Sequence, residues 1–291
     1  MNCLVTGGAG FIGSNLVDEL LSQGHNVICL DKNKDGYWND KANNHVGDIT
    51  NHELVGRLMK NIDCVFHLAA MVQIQETIDN PVDCYRTNIL GTTILLESAR
   101  ENSVSNFIFA STSAIYDGSL QIQKEGDLED SSMSPYSSSK KSGEEMCKVY
   151  SRLFGLKTTI LRFFNVYGDR QHSQGQYAPV IGIFMKQKND GKQLTITGDG
   201  KQRRDFVKVK DVVRALILSQ SNSSPGRFFN VGSGINYSVQ DIADMISENQ
   251  TYIEKRVGEA ESTKSCIERI QKELNWNPEI KLENWLKKTL L

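Results

Sequence analysis

The chain has 291 residues, 39% of them hydrophobic and 23% charged, with a net charge of −2. That length can bury a core in one large domain or two closely packed lobes, and the composition is ordinary for a globular protein. A near-neutral balance without runs of like charge leaves no footprint for nucleic acid or an anionic membrane, so a polyanionic ligand would need a local site. No apolar stretch approaches the ~20 residues of a membrane span, and no charged-then-apolar leader precedes the first apolar run. Six cysteines (Cys3, Cys29, Cys64, Cys84, Cys147 and Cys266) are scattered without CxxC pairs or metal-ligand spacing. Free thiols in a reducing, cytoplasmic compartment are therefore expected, and no metal site.

In chain order, the first half alternates short apolar runs with longer helical patterns. Strands are predicted at Asn2–Thr6, Asn26–Asp31, around His45–Gly47, and at Cys64–Leu68, Asn106–Ser111 and Lys157–Phe163. Helices are predicted near Phe11–Gln23, Asn51–Met59, Asp83–Glu101 and Pro135–Phe154. Strands separated by helices of this length imply right-handed crossovers and an α/β fold with a doubly wound parallel sheet. After Phe163 the pattern changes. Turn residues fill Asn165–Tyr177, followed by a helix at Pro179–Asn189 and a strand at Leu194–Gly198. A strand-to-helix segment at Phe206–Ser219, a strand at Phe228–Gly232 and a helix at Ser238–Ser247 complete the reading. Residues 1–163 are expected to form a dinucleotide-binding domain, with returns to it near 206–235, and residues 164–291 mainly a smaller substrate lobe.

The run Thr6-Gly7-Gly8-Ala9-Gly10-Phe11-Ile12-Gly13 lies between the first strand and first helix, with glycines spaced GxxGxxG. Such glycines allow a tight turn, close backbone approach to a pyrophosphate and close helix–sheet contact, while the helix N-terminus offers unpaired amides to phosphate. The second strand ends at Asp31. A carboxylate there can accept hydrogen bonds from the adenosine ribose and would repel a 2′-phosphate, which favours NAD over NADP; Lys32 follows and softens that repulsion. Asp48-Ile49 could cover the adenine, or Asp48 could cap the next helix.

Tyr136 and Lys140 stand four residues apart at the start of a predicted helix, so phenol and ammonium share a face. A nearby ammonium favours phenolate, which suits a general base at neutral pH. Ser111-Thr112-Ser113 ends a strand at the carboxyl edge of the sheet, where doubly wound folds bind ligands. His67, closing an apolar strand, reads as a packed, hydrogen-bonded residue with no chemistry.

These motifs resemble those of the extended short-chain dehydrogenase/reductases, the NAD-dependent epimerase/dehydratase family. The resemblance includes the glycine loop, Asp31, Asp48, His67-Leu68-Ala69-Ala70, Asn88, Ser111–Tyr116, Tyr136 with Lys140, Arg162–Arg170, Gly198–Asp211 and Arg256–Glu259. It implies that Tyr136 is the base, that Lys140 binds the nicotinamide ribose, and that Ser113 orients substrate, with Thr112 able to share that role. NAD would lie along Gly7, Gly10, Phe11, Ile12, Gly13, Asp31, Lys32, Asp48 and Ile49. Its nicotinamide half would meet Leu68, Ala69, Ala70, Asn88, Ser111, Tyr136, Lys140 and Phe163. Asn165, Arg204 and Arg256 would hold the substrate's diphosphate, since a guanidinium fork suits phosphate oxygens.

Within this family, dehydratases and decarboxylases carry an acid just after the hydroxyl, and fucose-type epimerase-reductases a cysteine. Here Ala114-Ile115-Tyr116 follow Ser113, a pattern similar to that of the 4-epimerases. A homodimeric, NAD-dependent 4-epimerase of a nucleotide sugar, most simply a UDP-sugar, is implied. A 4-keto reductase is the enzymatic alternative and an NAD-binding sensor the non-enzymatic one. Departures from the pattern are Asp117 for a usual Gly, Asp169 for a common Pro, and Val257 and Glu259 within an Arg-Pro-Gly-Asp turn. Small residues at Ser262 and Thr263 would admit an N-acetylated sugar. The helices Asp83–Glu101, with Ile89, Ile94, Leu95 and Leu96, and Pro135–Phe154 match those that pair in the family's dimers.

Overall fold

The computed structural model describes residues 1–116, 122–127, 132–171, 179–221, 226–255 and 261–290. The first strand, β1 (Asn2–Thr6), feeds the glycine loop and α1 (Phe11–Ser22). There follow β2 (Asn26–Asp31), β3 (Asn43–Val46) and α2 (His52–Leu58), whose cap Asn51 accepts the Leu54 amide at 3.0 Å. β4 (Cys64–His67), α3 (Ile74–Asp79), α4 (Pro81–Tyr85) and α5 (Gly91–Glu101) precede β5 (Asn106–Thr112), α6 (Pro135–Phe154) and β6 (Lys157–Phe163). Next come β7 (Asn165–Tyr167), α7 (Val180–Asn189), β8 (Leu194–Thr197), β9 (Arg203–Lys208), α8 (Val209–Ser219) and β10 (Arg227–Val231). β11 (Asn236–Ser238), α9 (Val239–Ile246), β12 (Gln250–Ile253), α10 (Glu268–Leu274) and α11 (Leu282–Leu290) complete the order.

The main sheet has seven strands in the order β10-β6-β5-β4-β1-β2-β3. The pairs β1–β2, β2–β3, β1–β4 and β4–β5 are parallel. Because helices cover both faces of such a sheet, its central strands read as continuous apolar runs, and all four residues of β4 are buried. Leu4, Leu30, Val65, Phe107 and Ile160 from the strands meet Val55, Leu95 and Cys147 from the helices in one core cluster. Strand order reverses between β1 and β4, the place where a doubly wound sheet opens a ligand crevice at its carboxyl edge.

Two compact units emerge. The first comprises Met1–Ile115, Ser132–Arg162 and Val213–Phe229; the second comprises Tyr116–Ser131, Phe163–Val212 and Asn230–Leu291. The return to the first unit is shorter than the sequence suggests, and Tyr116–Ser131 joins the second unit. That unit contains a three-stranded sheet, β11-β9-β7, and the parallel pair β8–β12. Its own core gathers Tyr167, Phe184, Leu194, Ile196, Phe206 and Ile242.

The helix expected at Asp83–Glu101 begins earlier, with Pro81 in its first turn, where a missing amide costs nothing. Arg86–Leu90 then form a π turn before α5. Leu95 and Leu96 are fully buried in the chain's own core, and Ile94 packs against it. The apolar run singled out for a dimer interface is thus largely spent inside the unit.

α6 shows how local sequence sets a helix. Ser134 caps it, accepting the Ser137 amide at 3.1 Å while Ser137 Oγ accepts the Ser134 amide at 3.1 Å. Pro135 supplies a preset φ in the first turn. Gly155, in the left-handed region at φ +71°, ends the helix and donates to Ser151 O at 3.2 Å.

Candidate active site

The glycine loop is packed to backbone contact. Gly7 adopts φ +70°, and a Cβ there would lie 2.7 Å from the Ala69 amide nitrogen on the loop after β4. A Cβ on Gly13 would fall 2.0 Å from Gly7 O. The first helical bond of α1 runs from the Ser14 amide to Gly10 O at 3.0 Å, so the amides of Phe11, Ile12 and Gly13 precede the ladder and face the loop. Side-chain-free backbone beside a helix N-terminus fits a pyrophosphate.

Asp31 does more than await a ribose. Its Oδ2 accepts the Ala9 amide at 3.1 Å and its Oδ1 the Asn33 amide at 2.9 Å, which ties the end of β2 to the glycine loop. Lys32 is exposed beside it. Asp48 is also exposed and is not the helix cap, which is Asn51; its Oδ1 accepts the Thr50 amide and hydroxyl, both at 2.8 Å. The Ile49 side chain is buried, and a Cβ on Gly91 would lie 2.5 Å from its Cδ1. Any cofactor contact by Ile49 is left to its backbone.

His67 has a definite hydrogen-bond order. Thr92 donates to Asn88 O at 2.6 Å, so it accepts from His67 Nε2–H at 2.8 Å. Thr6 Oγ1 accepts the Ala69 amide at 3.3 Å and lies 2.8 Å from Nδ1, to which its proton is given. This is a neutral imidazole, and burial together with the Lys140 ammonium holds its pKa well below the usual value. It is packing, as its position in the sequence suggests.

Asn88, expected along the cofactor, links two elements through its side chain. Its Oδ1 accepts the Met71 amide at 2.8 Å, and its Nδ2 donates to Met71 O at 3.0 Å and to Ser139 Oγ at 2.9 Å. The loop after β4, where Leu68, Ala69 and Ala70 are part-buried, is thereby tied to α6.

Four successive residues of β5 meet one face of α6. Phe109 abuts Gly143, whose added Cβ would come within 2.4 Å of the ring. Ala110 O accepts Lys140 Nζ at 2.9 Å. Ser111 Oγ donates to Glu144 Oε1 at 2.6 Å. The Thr112 side chain acts on the Tyr136 phenol in the direction that lowers its pKa. Since Thr112 Oγ1 accepts the Ala114 amide at 3.1 Å, its own proton is available to the phenol oxygen, the arrangement that favours phenolate. Ser113, expected to orient substrate, opens the short 3₁₀ turn Ser113–Ile115 directly after Thr112.

The ionisation of the pair differs from the sequence expectation. Burial pushes the Tyr136 phenol up to about 12 against the opposing pull of Thr112. Burial also lowers Lys140 to about 8, while Cys147, Cys84 and Glu144 draw it upward. The Lys140 ammonium is committed to Ala110 O and lies 4.9 Å from the Phe109 ring centroid. It does not bring the phenol below its ordinary value; desolvation dominates.

Glu144 and Arg162 form a pair that sequence reading missed. Both side chains are fully buried, with Arg162 Nε to Oε1 at 2.9 Å and Nη2 to Oε2 at 2.6 Å. The available signal was a carboxylate four residues beyond Lys140, on a face that had to be inside.

In the second unit, Asn165 Nδ2 donates to Asp205 O at 3.0 Å and Arg204 Nη1 to Arg203 O at 2.9 Å. Phe163 is buried. Arg203, by contrast, is braced by Asn236 and by Asp241 at 3.4 Å. The departure at Asp169 has a partner: its Oδ2 lies 3.4 Å from the buried Lys208 ammonium. Arg256, Asp117, Val257 and Glu259 lie outside the described residues. Among the described residues no cluster of metal-ligating side chains occurs and no helix is long and apolar enough to cross a membrane. All six cysteines are free.

Residues 3–232 match the NAD dependent epimerase/dehydratase family. The chain belongs to that family. Among curated relatives of these epimerase/dehydratase enzymes, the UDP-glucose 4-epimerase of Mycolicibacterium smegmatis is 32% identical, over 100% of this chain and 97% of that protein. A UDP-N-acetyl-alpha-D-glucosaminuronate decarboxylase of Bacillus cytotoxicus is also 32% identical, over 99% of this chain and 96% of that protein. Among solved structures, the UDP-glucose 4-epimerase of Thermotoga maritima with UDP-glucose superposes with a TM-score of 0.95 at 34% identity, covering 100% of this chain and 97% of that one. The family's NAD dependence agrees with a glycine loop shaped for a dinucleotide.

Proposed function

We propose that this enzyme is an NAD-dependent nucleotide-sugar 4-epimerase acting on UDP-glucose and UDP-galactose or their N-acetylated counterparts. The observation that carries the reading is the buried phenol of Tyr136, drawn toward phenolate by Thr112, with no acid at either of the positions after Thr112, Ser113 and Ala114. Elimination of water needs a second proton-transfer group at that point, and alanine and serine are poor ones. The same feature weighs against the chemistry of the decarboxylase relatives.

Tyr136, at the N-terminal turn of α6, takes the proton from the 4-hydroxyl, and the positive end of the helix favours its phenolate. Thr112 donates to the phenolate oxygen. Lys140 holds the nicotinamide ribose and adds positive charge near the phenol. NAD, when bound, supplies the hydride acceptor and, in its oxidised form, a positive charge that offsets the burial holding the phenol near 12. After the 4-keto sugar turns over, Tyr136 returns the proton. Asn165, Arg204 and Arg256 are assigned to the nucleotide diphosphate, which has to stay gripped while the sugar rotates.

The first test is an NMR assay of purified protein with UDP-glucose and UDP-N-acetylglucosamine, without added reductant. Galacto-configured product supports the reading, and the relative rates name the sugar. Turnover only with NADH and a 4-keto sugar would replace it with a reductase. The assembly assigned is a homodimer in the cytoplasm. It is supported by apolar side chains left exposed on α4, the π turn and α6, namely Val82, Leu90, Val149, Leu153 and Phe154.

A further inference from the structure

The four-point contact of β5 with α6 is deepest at Glu144, and there the chain has buried two opposite charges that no reacting group touches. Removing such a pair from water is costly, and a hydrophobic pair of similar volume would serve stability as well or better. Its position suggests another use. Glu144 stands one helical turn beyond Lys140 on the same buried face, and its carboxylate is shared among Ser111, Arg162 Nε and Arg162 Nη2.

The groups facing Lys140 can be listed by element. His67 on β4 is held neutral by burial and by the ammonium itself. Cys84 on α4 and Cys147 on α6 are pushed toward the neutral thiol by burial. Burial holds Tyr136 toward the neutral phenol. On β5 lie the uncharged Phe109, Ala110 and Thr112, and Lys148 is engaged with Glu145 at 2.6 Å. That leaves Glu144 as the buried anion on this face and Arg162, on β6, as the buried cation that tempers it.

We propose that Glu144 and Arg162 are positioning residues for the Tyr136–Lys140 pair: the carboxylate keeps the Lys140 ammonium charged and α6 in register on β5, and the guanidinium sets how much of that negative charge Lys140 feels. The inference rests on the epimerase reading for its consequence, but its physical core can be measured without turnover. Without Glu144, Lys140 loses an attraction for its proton and releases it at lower pH. Without Arg162, the carboxylate acts on Lys140 undiluted and the proton is released at higher pH. Each effect is expected at about one pH unit, which is about tenfold in the fraction of charged lysine on the steep part of the curve.

The test is an NMR titration of Lys140 in protein labelled with ¹³C-lysine, the signal assigned by its loss in Lys140→Arg. Glu144→Gln is expected to move the titration below the wild type, Arg162→Gln above it, and the paired Glu144→Gln/Arg162→Gln variant back to within a few tenths of a unit. The alkaline limb of the epimerisation rate follows the same order. Shifts of both single variants in the same direction, or in neither, would overturn the proposal. If either neutral variant does not fold, Glu144→Asp and Arg162→Lys take their place. They keep the charge and loosen the geometry, so kcat falls several-fold with the titration unmoved, and a moved titration overturns the idea. Failure of the catalytic reading would look different: Tyr136→Phe would keep its activity while the Lys140 titrations still separate.

Discussion

At the level of single residues, the pull of Thr112 on the Tyr136 phenol makes a prediction that separates two neighbouring hydroxyls. Thr112→Val keeps the shape, removes the donor to the phenol and leaves the Ala114 amide without its acceptor. Turnover should fall by roughly 10²-fold, and the pH at which the phenol becomes an effective base should rise. Ser113→Ala should cost less than about threefold, because a group without contact to the phenol supplies no differential stabilisation. Equal losses in the two variants would return the role to Ser113. Lys140 makes a prediction about stability. Its folded value of about 8 lies below its ordinary 10.5, so between those values the unfolded chain holds the proton more tightly. Stability therefore rises with pH across that window, and the full cost of burying the ammonium is present below about 8. Lys140→Met should raise stability at pH 7 by about 2 kcal/mol, once the lost hydrogen bond to Ala110 is set against the relief of burial. The gain should vanish above the window, and turnover should collapse throughout. Thermal melts of the two proteins from pH 7 to 10 read this directly; a less stable variant at pH 7 would mean the ammonium is better solvated than its 3% exposure implies.

At the level of elements, the closeness of α6 to β5 depends on Gly143. A Cβ there would press to 2.4 Å against Phe109, a buried ring with little room to retreat. Gly143→Ala should destabilise by about 1–3 kcal/mol despite alanine's better helix propensity, because overpacking outweighs propensity. It should also lower kcat more than it raises KM, since the shift moves Tyr136 against Thr112; a melt unchanged from wild type would show that Phe109 can turn aside. This packing also explains what the sequence could and could not reveal. β1, β2 and β6 are apolar runs bounded by turns, and their ends coincide with the sequence reading. The pair Tyr136–Lys140 was visible because helical spacing alone puts it on one face. The hydrogen bonds of Asn88, Ser111 and Glu144 were not legible, because their partners lie 51, 33 and 18 residues away and no local period records such pairings. The π turn at Arg86–Leu90 shifts the helical register without changing composition. β7 and β11 are three residues long and β12 four, too short for alternation to show. Nothing in Ile74–Asp79 marks a start for α3, since Gln73 gives no side-chain cap.

At the level of the whole molecule, the exposed apolar side chains argue about assembly. A lone surface leucine needs no explanation, but clustered ones on adjacent helices mark an interface. α4 packs beside α6. On α4, Val82 is 69% exposed, and on α6 Leu153 is 68% and Phe154 50% exposed. Val149 and Leu153 are separated by one helical turn and so extend one stripe along α6. Of the two helical stretches expected to pair, Asp83–Glu101 and Pro135–Phe154, the first turns Leu95 and Leu96 inward, so the interface prediction rests on these outer positions. Two such helices from each of two copies would bury the stripe symmetrically, as a twofold contact requires. Sedimentation at micromolar concentration should then give twice the 32.6 kDa chain mass. Leu153→Asp, at a position with no role in the first unit's core, should sediment as a monomer with its circular dichroism unchanged and its bound NAD retained. That variant also tests whether assembly and catalysis are linked. The glycine loop, Tyr136, Lys140, Glu144 and Arg162 all belong to one unit of one chain, so monomers should keep a comparable turnover per chain, with a lower melting temperature. Loss of activity in a folded, NAD-loaded monomer would mean that pairing of α6 with its counterpart helps hold that helix in register.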